Sequence, residues 1–124
     1  MGSDMQKLVF IVDDNDANLT MAASALEESY RVFTIPSAQK MFMLLEKKTP
    51  DLILLDIEMP EMGGFEAIRK LKENPAQKVI PVVFITGWTN DELIADALKA
   101  GALDVLKKPI APSLLLECVK KIFG

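Results

Sequence analysis

The chain has 124 residues, half of them apolar, which suits one compact domain and is too short for two comfortable ones. At this length folding buries about 65–70% of the unfolded surface, so no disulfide or metal staple is needed to hold a core. Fourteen basic against 18 acidic residues leave a net charge of −4, which argues against direct nucleic-acid binding. A single cysteine, Cys118, and no histidine exclude a disulfide framework, zinc-finger chemistry and His-dependent nucleophilic catalysis.

The elements follow in chain order. Apolar runs of strand length occur at Leu8–Val12, Arg31–Ile35, Asp51–Leu55 and Pro81–Thr86, with a shorter one at Asp104–Leu106. They lack polar alternation, as strands covered on both faces do. Helical spacing separates them: Leu19, Ala22, Leu26; Ala38, Met41, Leu45; Phe65, Ile68, Leu71; Leu93, Ala97; and finally Leu115, Val119, Ile122. Asp16 is expected to cap the first helix and Ser37 the second. Thr89-Asn90-Asp91-Glu92 reads as a capping box before the fourth, with Gly101 closing it. Ala111 leaves the fifth helix without a capping side chain. Strands alternating with helices predict an α/β fold with a parallel five-stranded sheet and helices on both faces.

Residues 7–123 are expected to form one domain, after a tail at 1–6 whose Met1-Gly2-Ser3 reads as a cloning scar. No apolar run approaches the roughly 18–20 residues of a membrane span and no signal peptide is visible, so a cytoplasmic location without membrane contact is expected.

In open parallel sheets ligands bind at the carboxyl ends of the strands, so the residues that follow the strands carry the chemistry. Here they are Asp13 and Asp14, then Asp56, Thr86, and Lys107-Lys108-Pro109. Three clustered carboxylates need a cation to stay ionised, and an oxygen-only set suits Mg²⁺, with Mn²⁺ also acceptable. Any one of these residues alone would read as a turn former or a solvated charge; their joint placement points to a site.

Four segments carry a resemblance. FIVDDND, LILLDIEMPEMGGFEAIR, VVFITG and GALDVLKKPI together resemble the receiver domain of two-component response regulators, from about Lys7 to Phe123. The D-x-x-M-P-x-M-x-G loop from Asp56 to Gly64 is the most specific part. The resemblance implies a flavodoxin-like (βα)5 sandwich with strand order 2-1-3-4-5. It implies a phosphorelay function in which Asp56 takes a phosphoryl group from the phosphohistidine of a sensor histidine kinase or phosphotransfer protein. Asp14, Asp56 and the Glu58 backbone carbonyl would ligate Mg²⁺, with Asp13 acting largely through water. Thr86 would be the switch hydroxyl and Lys108 the cation paired with the phosphoacceptor, aimed by a cis Lys108-Pro109 peptide. It also implies slow self-catalysed dephosphorylation and a response on the helix 4, strand 5 and helix 5 face. The expected recipient is an output domain or target protein, and a phosphorylation-dependent homodimer is compatible with the pattern.

The chain departs from the family pattern at Val105, where a switch aromatic is usual. The Glu58 side chain and Trp88 flank the phosphorylation position, where side chains tune hydrolysis. The competing enzyme reading is a small haloacid-dehalogenase-type phosphohydrolase, built on Asp14-x-Asp16 with Thr86 and Lys108. Asn18 at the expected Thr/Val position and the lack of a later acidic pair weigh against it. EF-hand and P-loop readings fail for want of their glycines.

Overall fold

A computed structural model describes residues 6–124; the first five residues of the expected tail, with Met1-Gly2-Ser3, lie outside the described residues. Five strands alternate with five helices: β1 Leu8–Val12, α1 Asp16–Leu26, β2 Arg31–Ile35, α2 Ala38–Leu45, β3 Leu52–Asp56, α3 Gly64–Glu73, β4 Val82–Thr86, α4 Asp91–Ala100, β5 Asp104–Lys107 and α5 Pro112–Phe123. The sheet is parallel throughout, in the order β2-β1-β3-β4-β5. The strand order therefore reverses between β1 and β3, which places a crevice at their carboxyl ends.

Period-two geometry divides each inner strand between two cores. Phe10, Val12, Ile53, Leu55, Val82 and Phe84 pack on one face with Met41, Ile68 and Ala97 from α2, α3 and α4. Val9, Ile11, Leu52, Leu54, Val83 and Ile85 pack on the other with Leu19, Leu26, Leu115 and Val119 from α1 and α5. Every residue of β1, β3 and β4 is buried, which accounts for their apolar runs, broken only by Asp56 and Thr86 at the carboxyl ends of β3 and β4.

The caps require two corrections. Asn15, not Asp16, caps α1: its backbone is extended and its side chain accepts from the Asn18 amide at 3.0 Å, while Asp16 is already helical. Asn90, not Thr89, caps α4 through the Leu93 amide at 2.8 Å, so the expected Thr89–Glu92 box does not form. Ser37 caps α2, and Gly101 ends α4 with φ of 110°, a left-handed conformation that glycine adopts without steric penalty. At α5 the N-cap Ala111 is extended and has no side-chain acceptor for the first amides, with Pro112 opening the helix. Ala111→Asp should raise stability by about 0.5–1 kcal/mol in urea titration, since the backbone already has cap geometry. No helix among the described residues is long and apolar enough to cross a membrane.

Candidate functional site

Asp13, Asp56, Thr86 and Lys108 meet where β1, β3, β4 and β5 end. Asp13 is held twice: its Oδ1 accepts from the Asn15 amide at 2.9 Å, and its Oδ2 lies 3.0 Å from Lys108 Nζ. Lys108 Nζ lies 3.2 Å from Asp56 Oδ1 as well. That second contact is an ion pair without aligned hydrogen-bond geometry, which leaves Asp56 Oδ1 buried and without a hydrogen-bond donor. The Lys108 amide donates to the Thr86 carbonyl at 2.7 Å, and a cis Lys108-Pro109 peptide follows, as the sequence led one to expect. Lys107, one residue earlier, is exposed.

Asp13 and Asp56 are 4% and 2% exposed, so both carboxylates have lost most of their hydration. Burial first, and the neighbouring Asp13 charge second, push the Asp56 carboxyl up to about 6 against the opposing pull of Lys108. For Lys108 burial acts downward, but the two carboxylates outweigh it and hold its ammonium above the ordinary lysine value. One cation thus serves two buried acids, and the set remains short of positive charge.

Asp14 stands exposed beside them, and one carboxylate oxygen from each of Asp13, Asp14 and Asp56 lies within 4.8 Å of the others. A hard divalent cation fits this donor set on two grounds: all donors are oxygens, and Asp56 Oδ1 is a buried acceptor without a donor.

The β3–α3 loop forms the opposite wall. Ile57 donates to the Ile85 carbonyl at 3.0 Å and Gly64 to the Ile57 carbonyl at 2.8 Å, fastening both ends of the loop under Asp56. Glu61 adopts φ of 69°, which lets the intervening Met59–Met62 chain turn sharply. From this loop Glu58 reaches across to β4, where Thr86 Oγ1 donates to Glu58 Oε2 at 2.6 Å. This bond joins residues 28 apart, and no local signal in the sequence announces it. Trp88 is 62% exposed; its backbone, not its indole, meets Thr86, with the carbonyl 2.9 Å and the amide 3.2 Å from Oγ1. Val105 is half-buried opposite Phe84 in the sheet register and packs against the α2–α3–α4 core.

Residues 9–120 match the family model for the response regulator receiver domain, and the chain belongs to that family. It is 38% identical over 110 residues to a probable cyclic di-GMP phosphodiesterase of Vibrio cholerae, covering 89% of this chain but only 25% of that protein. It is 32% identical over 124 residues to the polar-differentiation response regulator DivK of Brucella ovis, covering 97% of this chain and 98% of the other. Among solved structures, the chemotaxis response regulator CheY4 of Vibrio cholerae superposes with a TM-score of 0.89 at 27% identity, covering 95% and 99% of the two chains. The fold is therefore the CheY-like, flavodoxin-like one. The phosphohydrolase alternative is not favoured: Asp16, which its motif needs beside Asp14, is exposed on α1 and outside the carboxylate cluster.

Proposed function

We propose that residues 7–123 act as a single phosphoacceptor domain in a cytoplasmic phosphorelay, with Asp56 as the nucleophile. The observation that carries this reading is the convergence of three carboxylates and one ammonium at the β1–β3 crevice, with Asp56 Oδ1 buried and lacking a donor. An Asp56 oxygen attacks the phosphorus of a phosphohistidine in a sensor kinase or phosphotransfer protein; the P–N bond breaks and an aspartyl phosphate forms. Lys108, already paired with Asp56, carries charge to the incoming phosphoryl oxygens. Asp14 and Asp56, with the Glu58 carbonyl, would ligate Mg²⁺, and Asp13 would act through water. The bound ion supplies positive charge that offsets repulsion between carboxylate and phosphoryl group.

The new group brings about −1.5 to −2 charges and fresh acceptors beside Thr86. Thr86 answers by donating to it, and the β4–α4 loop that shares its hydroxyl follows. Val105 provides no ring to swing, so the signal passes through backbone and loop. Leu103 and Leu114, each just over half exposed in the loop before β5 and on α5, line one surface groove and offer apolar contact to an output domain, target or second copy.

Acetyl phosphate with Mg²⁺ should place one phosphoryl group on Asp56, read by mass spectrometry of the intact chain and its peptides. Modification only at other residues would overturn the assignment. Asp14→Ala should weaken Mg²⁺ binding by more than the roughly 10–100-fold that loss of an outer-shell partner costs, and slow phosphorylation in parallel. Unchanged metal affinity in calorimetry would remove Asp14 from the ligand set.

A further inference from the structure

Thr86 is wholly buried at the end of β4 and has one hydroxyl hydrogen. Two acceptors face it, the Glu58 carboxylate at 2.6 Å and the Trp88 carbonyl at 2.9 Å. One hydrogen cannot serve both, and the shorter, charge-assisted contact holds it. Glu58 stands two residues beyond Asp56, so its side chain ties the phosphoacceptor loop to the switch residue of the next strand. Glu58 is itself exposed, so moving its carboxylate into water costs little burial.

We propose that the Glu58 side chain is a positioning latch that competes with the phosphoryl oxygens on Asp56 for the Thr86 hydroxyl. The proposal deepens the phosphoacceptor reading and rests on it. Thr86 engages phosphate only after Glu58 has been displaced, so the affinity for a phosphoryl group is reduced by the fraction of molecules in which the hydroxyl is free. The Trp88 amide donates to the same hydroxyl oxygen at 3.2 Å, so the exchange of one anion for the other is felt at once in the loop leading to α4. Glu58 also lends negative charge to the site, which by itself would repel a phosphoryl group without any part played by Thr86. The two effects separate through Thr86: a latch requires its hydroxyl and simple repulsion does not.

The experiment titrates beryllofluoride, an anionic phosphoryl mimic, in the presence of Mg²⁺ into the wild-type chain, Glu58→Gln, Thr86→Val and the double variant, using calorimetry. Glu58→Gln keeps an oxygen acceptor and loses its charge, and should bind about tenfold more tightly. In the Thr86→Val background the same change should gain less than about twofold. Without metal or beryllofluoride, the Thr86 methyl resonance should already move in Glu58→Gln, because the latch holds the resting protein. Titration with Mg²⁺ alone should show no tighter binding in Glu58→Gln than in the wild-type chain, because the lost carboxylate charge lies close enough to be felt at Asp56 and favours a cation. An equal gain in both backgrounds, no gain at all, or a gain explained by altered Mg²⁺ affinity overturns the latch while leaving the phosphoacceptor reading intact. A wild-type chain that binds no beryllofluoride overturns that reading and the latch with it.

Discussion

Asp56→Asn should take no phosphoryl group from acetyl phosphate and, in buffer containing a chelator, should melt at a higher temperature than the parent chain. Both results come from one carboxylate. An amide nitrogen and oxygen do not attack phosphorus at a useful rate, so the adduct on Asp56 disappears. The stability gain follows from the cost of burying charge. In the folded chain the Asp56 carboxyl sits at about 6 against an ordinary 3.8, chiefly because burial and Asp13 disfavour its ionised form. A carboxyl raised on folding binds its proton more tightly in the native state, so this group takes stability away as pH rises from about 4 to about 6. The loss is complete above that window and absent below it. A shift of this size corresponds to about 3 kcal/mol, and solvent screening at the open mouth of the crevice reduces it to about 1–2 kcal/mol. The substitution should therefore raise the melting temperature by roughly 5 °C at pH 7.5 and change it little at pH 4. Equal gains at both pH values would show that the ionised carboxylate is not the source. Because a divalent cation relieves the same repulsion, added Mg²⁺ should stabilise the parent chain more than the variant.

The architecture was legible because its strands are covered on both faces. A run such as Leu52–Leu55 with no polar position has few homes other than a central parallel strand, and the helical stretches between the runs leave a right-handed wrapped sheet as the natural arrangement. Charged residues that follow such strands are brought together by topology alone, so Asp13, Asp14, Asp56 and Lys108 were recognisable before any geometry was known. The caps were harder, since Asn15 and Asp16, or Thr89 and Asn90, are adjacent residues of similar capping ability. Only the backbone angle decides between them, and it settles on Asn in both cases. The Glu58–Thr86 bond was not legible at all. It depends on the path of the β3–α3 loop: the sequence marks Glu58 as flanking the phosphorylation position but carries nothing that pairs its side chain with Thr86 on another strand.

That loop is also where one missing carbon atom matters most. Gly64 begins α3 directly beneath the site, and a Cβ added there would lie 2.8 Å from Ile57 Cα, 2.9 Å from the Asp56 carbonyl oxygen and 3.1 Å from Phe84 Cε1. Two of these neighbours are backbone, so no rotation of a side chain relieves the overlap. Phe84 is wholly buried and packed against Phe65 at 5.1 Å between ring centres, which removes the third escape. Either the loop lifts away from β3 or the start of α3 shifts outward, and both movements displace the peptide that carries Asp56. Gly64→Ala should consequently lose about 2–3 kcal/mol in urea unfolding despite alanine's better helix propensity, with Gly64→Val losing more. Phosphorylation of the folded fraction should slow as well, because the nucleophile is carried by the strained segment. Gly87, at the far wall of the crevice, provides the contrast: a Cβ there meets nothing within 4 Å. Gly87→Ala should stay within about 0.5 kcal/mol of the parent. Comparable losses at the two positions would mean that the close approach under Asp56 is not what requires glycine at 64.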